Sequence, residues 1–528
     1  MQKISLTQTG LLPPITVDYI NQDEKLKSFY KYTPNIDSFG EAIKNKNYNN
    51  ATRAVLVDVL LKQYAEAGIE LNNETKAQIE KIKNNNTFTV TTGHQLALFT
   101  GPLYFIYKIV TIINLAEQLK AKYPEQHFVP VFWMASEDHD FEEISTVQLF
   151  GKQVKWQNET NGKPVGRVNN KGLAPIIDEI ASILGERQQS KNWIELLKKC
   201  YSPDENLSVA TRRLVYELFK NEGLIIIDAD NADLKKELQP VIEQDVLNQT
   251  TFKAIKETNK RLEESYKLQI NGREVNFFYL HNEFGRKLIK PESNGYKLQD
   301  TSVVFTKEEM AVEIANNPEM FSPNVVLRPV YQELILPNLA YIGGPAEVAY
   351  WLQLKNVFDT FNIAYPVLMQ RNSFLLLNKS ISDKAEKMGL ALVDLFLNDS
   401  ELADLFLQKQ SSSNLPEVIN QIDTLFQSII DEVKNIDQAT TKEILALKLE
   451  NKKQLGTHLK SYKKARQQKQ EDNIEKLLKL KERLFPLGVF QERSENVMMY
   501  DLNPSLPFIS KVKQHADAFD FSLHIIDD

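Results

Sequence analysis

Cysteine is almost missing from this 528-residue chain; Cys200 is the only one. A single thiol cannot close an internal disulfide, so the fold must rest on packing, and a reducing cytoplasmic setting is expected. No neighbouring group activates Cys200 as a nucleophile, and it reads as a small buried hydrophobe. Long apolar runs are missing too. The opening Met-Gln-Lys-Ile-Ser-Leu-Thr-Gln-Thr-Gly has no secretory apolar region. The most apolar helical pattern, Leu103 to Ala116, is broken by Lys108 and is too short to cross a bilayer. No membrane partner is expected. A basic excess is also lacking. The formal charge of −7 argues against a nucleic-acid partner. The basic stretch from Lys460 to Lys469 reads as a solvated helix face. What remains is ordinary: 42% hydrophobic and 25% charged residues, enough for two or more domains with a substantial core.

The most informative stretch runs from Thr89 to Ile144. A β-rich run ends at Gly93. Pro102 then stands where a helix should open, because its ring presets φ and its missing N–H is no loss there. Leu103, Ile106, Ile109, Ile113 and Ala116 recur at helical spacing. A second apolar strand, Phe128 to Met134, runs straight into Glu137-Asp138-His139-Asp140. This is a β-α-β unit with polar residues at the carboxyl ends of its strands, where open parallel sheets bind ligands. The same design returns near Val325–Val330, read as a strand unit, and in Tyr341-Ile-Gly-Gly-Pro, where Pro345 opens a helix. Gly223–Asp228 and Pro366–Arg371 read as further buried strands. Residues 151–172 suit a hairpin or loop, and 276–289 an antiparallel hairpin attached to the core.

From Ile381 the chain turns helical and charged. Val418, Ile422, Leu425, Ile429, Val433 and Ile436 are spaced by three or four. A capping-box pattern at Thr440 and Glu443 would open a helix reaching Phe485, roughly 65 Å at 1.5 Å per residue. Leu455, Leu459, Tyr462, Ile474, Leu477, Lys481 and Leu484 would form its seam. A helix that long calls for a projecting antiparallel hairpin with coiled-coil packing. The expected fold is α/β: a parallel-sheet core over residues 1–380 with insertions at about 150–325, a coiled-coil domain over 381–485, and a returning segment, 486–528, with strand character at Phe508-Ile509.

Three clusters carry the chemistry. Thr91-Thr92-Gly93-His94 fits a strand-to-helix turn in which glycine lets backbone approach a phosphate and histidine donates to developing charge. A plain turn with a half-buried histidine is the competing reading. Lys108 on the next helix could meet a phosphate, or simply snorkel. Glu137–Asp140 could supply a general base or hold a metal-bound phosphate, or could cap a helix. No metal-ligand set is assigned, since one Cys and irregular His spacing do not make a zinc site. Gly343-Gly344-Pro345-Ala346-Glu347 with Tyr350 could cradle a phosphate or carboxylate, or serve strand–helix packing.

Taken together, the blocks resemble the BshC family, assigned to cysteine addition in bacillithiol biosynthesis. The resemblance rests on Thr92-Gly-His-Gln with Leu-Phe-Thr-Gly-Pro-Leu-Tyr and Lys108; Pro130-Val-Phe-Trp with Glu-Asp-His-Asp-Phe-Glu-Glu; Leu224 to Asp230; Arg328-Pro with Gln332-Glu and Leu336-Pro; Ile342-Gly-Gly-Pro with Glu347; and Leu484-Phe-Pro with Gln491-Glu-Arg. It implies a Rossmann-like core, a coiled coil used for homodimerisation, and joining of L-cysteine to the amino group of glucosaminyl-malate. Activating the carboxylate calls for ATP, through an acyl-adenylate or acyl-phosphate, with Mg2+ as a companion. On this reading the Gly93–Gly101 and Gly343–Gly344 turns face one crevice. His94, Gln95 and Thr100 bind the polar end of a substrate or nucleotide, beside Gly101, Tyr104 and Lys108. Asp138, His139 and Asp140 orient the amine and take its proton, and Glu347 and Tyr350 close the far side. A non-catalytic metabolite-binding scaffold and a nucleotidyltransferase for another small molecule are the alternatives.

Overall fold

The computed structural model describes residues 2–410, 415–502 and 507–527. These divide into two compact units, one of 2–376 with 489–526, the other of 377–488 with Asp527.

The first unit is built on a five-stranded parallel sheet of β1 (Thr87–His94), β2 (His127–Met134), β3 (Ile225–Asp228), β4 (Asn338–Gly343) and β5 (Val367–Gln370), in the order β5-β4-β1-β2-β3. Every pairing is parallel. The strands are β-branched or aromatic and almost wholly buried, as a sheet covered on both faces requires. The threonines of β1 do not leave their hydroxyls stranded: Thr89 and Thr91 bond to Asn338, and Thr92 donates to the Ile342 carbonyl of β4. The chain runs from β1 outward through β2 to β3, then crosses to the other side of β1 for β4. That reversal opens a crevice at the carboxyl ends of β1 and β4.

Helix α1 (Tyr104–Lys122) links β1 to β2 and buries one residue after another from Phe105 to Ala116, Lys108 included. It begins just past Pro102, whose carbonyl accepts the first bond, from Phe105 N–H. One expectation fails next to β4. Val325–Val330 is not a strand; helix α2 (Arg328–Ile335) starts there, with Pro329 in its first turn. Val330, Tyr331 and Ile335 are buried at helical spacing, and a proline in the first turn costs that helix no hydrogen bond. Helix α3 (Pro345–Trp351) follows β4.

The expected hairpin at Phe277–His281 and Gly285–Glu292 is present and widens into a five-stranded sheet with Gly295–Leu298, Val304–Phe305 and Phe321–Pro323. A smaller hairpin pairs Thr146–Leu149 with Lys152–Lys155. Phe508-Ile509 opens the helix Phe508–His515 rather than a strand. The strand after it, Ser522–Ile526, joins Gln2–Ser5 and Ser373–Leu376 in a third sheet. Cys200 is buried, and that burial pushes its thiol up to about 12, far from a reactive thiolate at neutral pH.

The second unit is helical. Helix α4 (Asp399–Lys409) and helix α5 (Leu415–Val433) pack against α6 (Gln438–Lys469). The pairing is antiparallel, with Asp423 of α5 meeting Lys448 and Asp404 of α4 meeting Lys463. The single long helix is not formed. Asp437, not Thr440, caps α6, accepting from Ala439 N–H at 2.9 Å. The helix ends at Gln470, whose ψ of 15° leaves the helical range, before α7 (Glu471–Lys481). Thirty-two residues give α6 a length of about 48 Å. Leu455, Leu459 and Tyr462 are half-buried, so the seam is real but thin. Leu425 and Ile436 are 63% and 83% exposed, and Val418, Ile429, Leu445 and Leu449 are exposed as well.

Candidate active site

The carboxyl ends of β1, β2 and β4 open on a cavity of about 610 Å³. Gly93, His139 and Gly344 all line it, so the two glycine corners and the acidic-imidazole cluster share one space.

The β1/β4 wall is held by one buried ion pair. Lys108 Nζ donates to the Gly93 carbonyl at 2.5 Å and to Glu347 Oε2 at 2.6 Å. The same Glu347 oxygen accepts Gly344 N–H at 2.8 Å, and Oε1 accepts the Tyr341 hydroxyl at 2.6 Å. The carboxylate thus caps α3 from its third position while the lysine ties both glycine corners together. Burial opposes charge on Glu347, but Lys108 and these donors outweigh it and hold the carboxyl down to about 2. Burial draws the Lys108 ammonium below its usual range. Lys108 is neither solvated nor snorkelling; it is 2% exposed. Glycine is required at 343 for space, since a Cβ there would lie 2.9 Å from the Glu347 Cβ.

His94 packs against Tyr104 and Phe105. Its Nδ1 lies 2.8 Å from the Gln95 carbonyl, which can only accept, so Nδ1 carries the proton. Burial, then the charge of Lys108, lowers its pKa to about 4. Nε2 of this neutral ring is an acceptor. It can hold a ligand N–H or O–H, but it cannot donate to an oxyanion as the sequence motif implied.

Across the cavity, Asp138 accepts three hydrogen bonds. Oδ1 accepts His139 N–H at 2.7 Å and Asp140 N–H at 3.3 Å, and Oδ2 accepts Gln95 Nε2 at 2.7 Å. Burial again opposes its charge, but the bonds from His139 and Gln95 and the nearby Arg286 keep the carboxyl below the usual range. Arg286 lies 3.9 Å over the Phe278 ring, and its Nη1 sits 3.2 Å from His139 Nδ1. A guanidinium only donates, so that imidazole nitrogen accepts and Nε2–H is left to face a ligand. Next in sequence, Glu137 lines the cavity and pairs at 2.5 Å with Lys235.

Four residues assigned to the site from sequence lie outside the cavity lining. Thr100 and Gly101 belong to a tight turn behind it, where Phe99, Thr100 and Gly101 all have positive φ. Asn496 donates to the carbonyls of Phe99 and Gly101, so this turn is a packing device. Asp140 is exposed and caps the short helix Phe141–Ile144 by accepting Glu143 N–H at 3.3 Å. Gly343 turns its carbonyl to Arg371 N–H. Gly93, His94, Gln95, Tyr104 and Lys108 do line the cavity, as do Asp138, His139, Gly344, Glu347 and Tyr350.

The residues that sequence reasoning missed are arginines. Arg273, Arg286, Arg328, Arg371 and Arg493 line the same cavity. Arg371 is 2% exposed and makes a two-pronged contact with Glu492, at 2.9 and 2.5 Å. Among the described residues its Nε has no hydrogen-bond partner, and neither does the Nη2 atom of Arg328, although both atoms are buried. Buried donors of this kind mark where an anion belongs. Their spacing in sequence carries no signal. Arg328 and Arg493 stood inside blocks already singled out, but as landmarks rather than ligands.

Residues 1–372 match the family model described as "Bacillithiol biosynthesis BshC, N-terminal Rossmann-like domain", and residues 374–527 match "Bacillithiol biosynthesis BshC, C-terminal coiled-coil domain". The chain is 39% identical over 527 residues to a protein of Flavobacterium johnsoniae, covering 99% of each. It is 37% identical to one from Christiangramia forsetii, covering 99% of this chain and 98% of the other. It is 34% identical to one from Cytophaga hutchinsonii, with the same coverage. All three relatives carry the name "Putative cysteine ligase BshC".

Proposed function

This chain belongs to the BshC family of bacillithiol biosynthesis, and from that membership we propose that it joins L-cysteine to the amino group of glucosaminyl-malate in the last step of the pathway. Amide formation needs an activated carboxylate, and ATP is the natural source of activation. The observation that carries the reading is the cavity itself, where Arg328 Nη2 and Arg371 Nε, without hydrogen-bond partners among the described residues, meet a carboxylate-imidazole wall. The arginines suit the carboxylates or phosphates of the substrates. His94 Nε2 and His139 Nε2–H supply one acceptor and one donor for orientation, and Tyr104 and Tyr350 complete the walls. Among the described residues no three His, Cys, Asp or Glu side chains gather to hold a metal. On this reading Mg2+ arrives with the nucleotide phosphates, which need only one or two carboxylates from the protein.

The enzyme works in the cytoplasm as a homodimer on this reading. Among the described residues no helix is long and apolar enough to cross a membrane. The exposed apolar stripe of α5 and α6 suits a second copy of the same hairpin. The test is turnover by purified protein supplied with glucosaminyl-malate, L-cysteine and ATP, followed by mass spectrometry. The cysteinylated product is expected. ATP consumption that depends on a different acceptor, with no thiol product, would overturn the reading.

A further inference from the structure

Asp138, His139 and Asp140 are together assigned from sequence to orient the amine and take its proton, yet Asp138 already accepts two backbone N–H groups and the Gln95 amide. Its neighbour Glu137 lines the same cavity and is bonded differently. Lys235, on the first turn of the helix Ala232–Asn248, is completely buried and lies 2.5 Å from Glu137 Oε1. Among the described residues Glu137 receives no hydrogen bond from a backbone N–H or a hydroxyl. Lys235 is itself fixed: it donates to the Glu319 carbonyl at 3.1 Å and lies 3.5 Å from Asp230, which Arg167 grips through two bonds of 2.7 Å.

We propose that Glu137 is the general base for the acceptor amine, held in place by Lys235 as a positioning residue. The inference rests on the ligase reading above. In the step it serves, the amine nitrogen attacks the carbonyl carbon of the ATP-activated cysteine carboxyl. The new C–N bond forms, the bond to the phosphate-bearing leaving group breaks, and that group departs with the electron pair. The proton shed by nitrogen moves to the Glu137 carboxylate and then to water. The groups facing Glu137 are Lys235, Asp230 and Arg167 on one side, Arg286 from the strand Gly285–Glu292, and Tyr331 from α2. Burial pushes the Glu137 carboxyl up despite Lys235, whereas Asp138 is held down. A pair of neighbouring carboxyls driven apart in this way marks which one takes up a proton more readily.

The experiment compares Glu137→Gln with Asp138→Asn in the full chain, with thermal unfolding as the folding control. Two reactions are followed: product from glucosaminyl-malate, and hydroxamate from hydroxylamine, a weakly basic amine already unprotonated at neutral pH. Glu137→Gln is expected to lower kcat for glucosaminyl-malate by about 100-fold or more, with KM nearly unchanged and hydroxamate formation retained. Asp138→Asn is expected to change kcat by less than about tenfold. Lys235→Met is expected to move the acid limb of kcat to higher pH, because the cation that favours the carboxylate is gone. A folded Glu137→Gln enzyme within fivefold of wild type on glucosaminyl-malate would overturn the proposal and leave the ligase reading standing. Wild-type protein that forms neither product would sink the ligase reading, and the base with it.

Discussion

The two walls of the cavity hold the same pair of residue types and use them in opposite ways. Under β1 and β4, Lys108 meets Glu347; under β2, Lys235 meets Glu137, and both lysines are buried. Glu347 also accepts a backbone N–H and a tyrosine hydroxyl, and its carboxyl is drawn down to about 2. Among the described residues Glu137 has no such extra donors, and burial wins, pushing its carboxyl up. A buried lysine alone does not decide what a carboxylate is for. The count of further donors does, turning one pair into a frame and leaving the other able to exchange a proton.

Breaking the frame should have the largest effect. Lys108→Met leaves Glu347 charged without its cation, and a loss of about 3–5 kcal/mol is expected in urea unfolding. Glu347 also sets an acid limit. Its folded pKa is depressed, so the stability it contributes is full above its ordinary value of 4.5 and is lost as pH falls toward about 2. Glu347→Gln should flatten that limb of the stability–pH curve. A mutant that still loses stability as steeply over the same range would mean that other carboxylates govern it.

Effects on the open side of the cavity should fall on binding rather than folding. Arg328→Lys removes the fork but keeps the charge, and a rise of about tenfold in substrate KM is expected, with little change in melting temperature. Equal losses of affinity and stability would make Arg328 a packing residue. The smallest effect on chemistry is expected from Leu425→Lys or Ile429→Lys in α5. Sedimentation should show monomer in place of the proposed dimer, with kcat within about twofold, since these side chains lie in the unit without the cavity.

Much of this was legible in the sequence because periodicity and turn chemistry are local. The β-α-β unit from Thr87 to Met134, β3, β5 and the hairpin at 277–292 follow from alternation, apolar runs and glycine punctuation. Val325–Val330 misled because Val-Val-Leu with a nearby proline reads alike as a buried strand or the first turn of a helix. The long helix misled because nothing in the composition around Gln470 signals a break. Within the site, Gly93, Gly344 and Glu347 announced themselves through strand–turn–helix grammar. Thr100 and Gly101 shared that grammar, but Asn496, nearly 400 residues away in sequence, claims their turn for packing. Arg371 and Glu492 find each other only in three dimensions. Lys235 and Glu137 sit almost a hundred residues apart and share no motif, so their pairing could not be read from the chain.

The most direct test of the account is a crystal structure of the protein with glucosaminyl-malate bound. The sugar amine is expected within hydrogen-bonding distance of Glu137, with an anionic group of the ligand resting on Arg328 and Arg371. A ligand bound away from the carboxyl ends of β1, β2 and β4, or with its amine turned from Glu137 toward solvent, would contradict it.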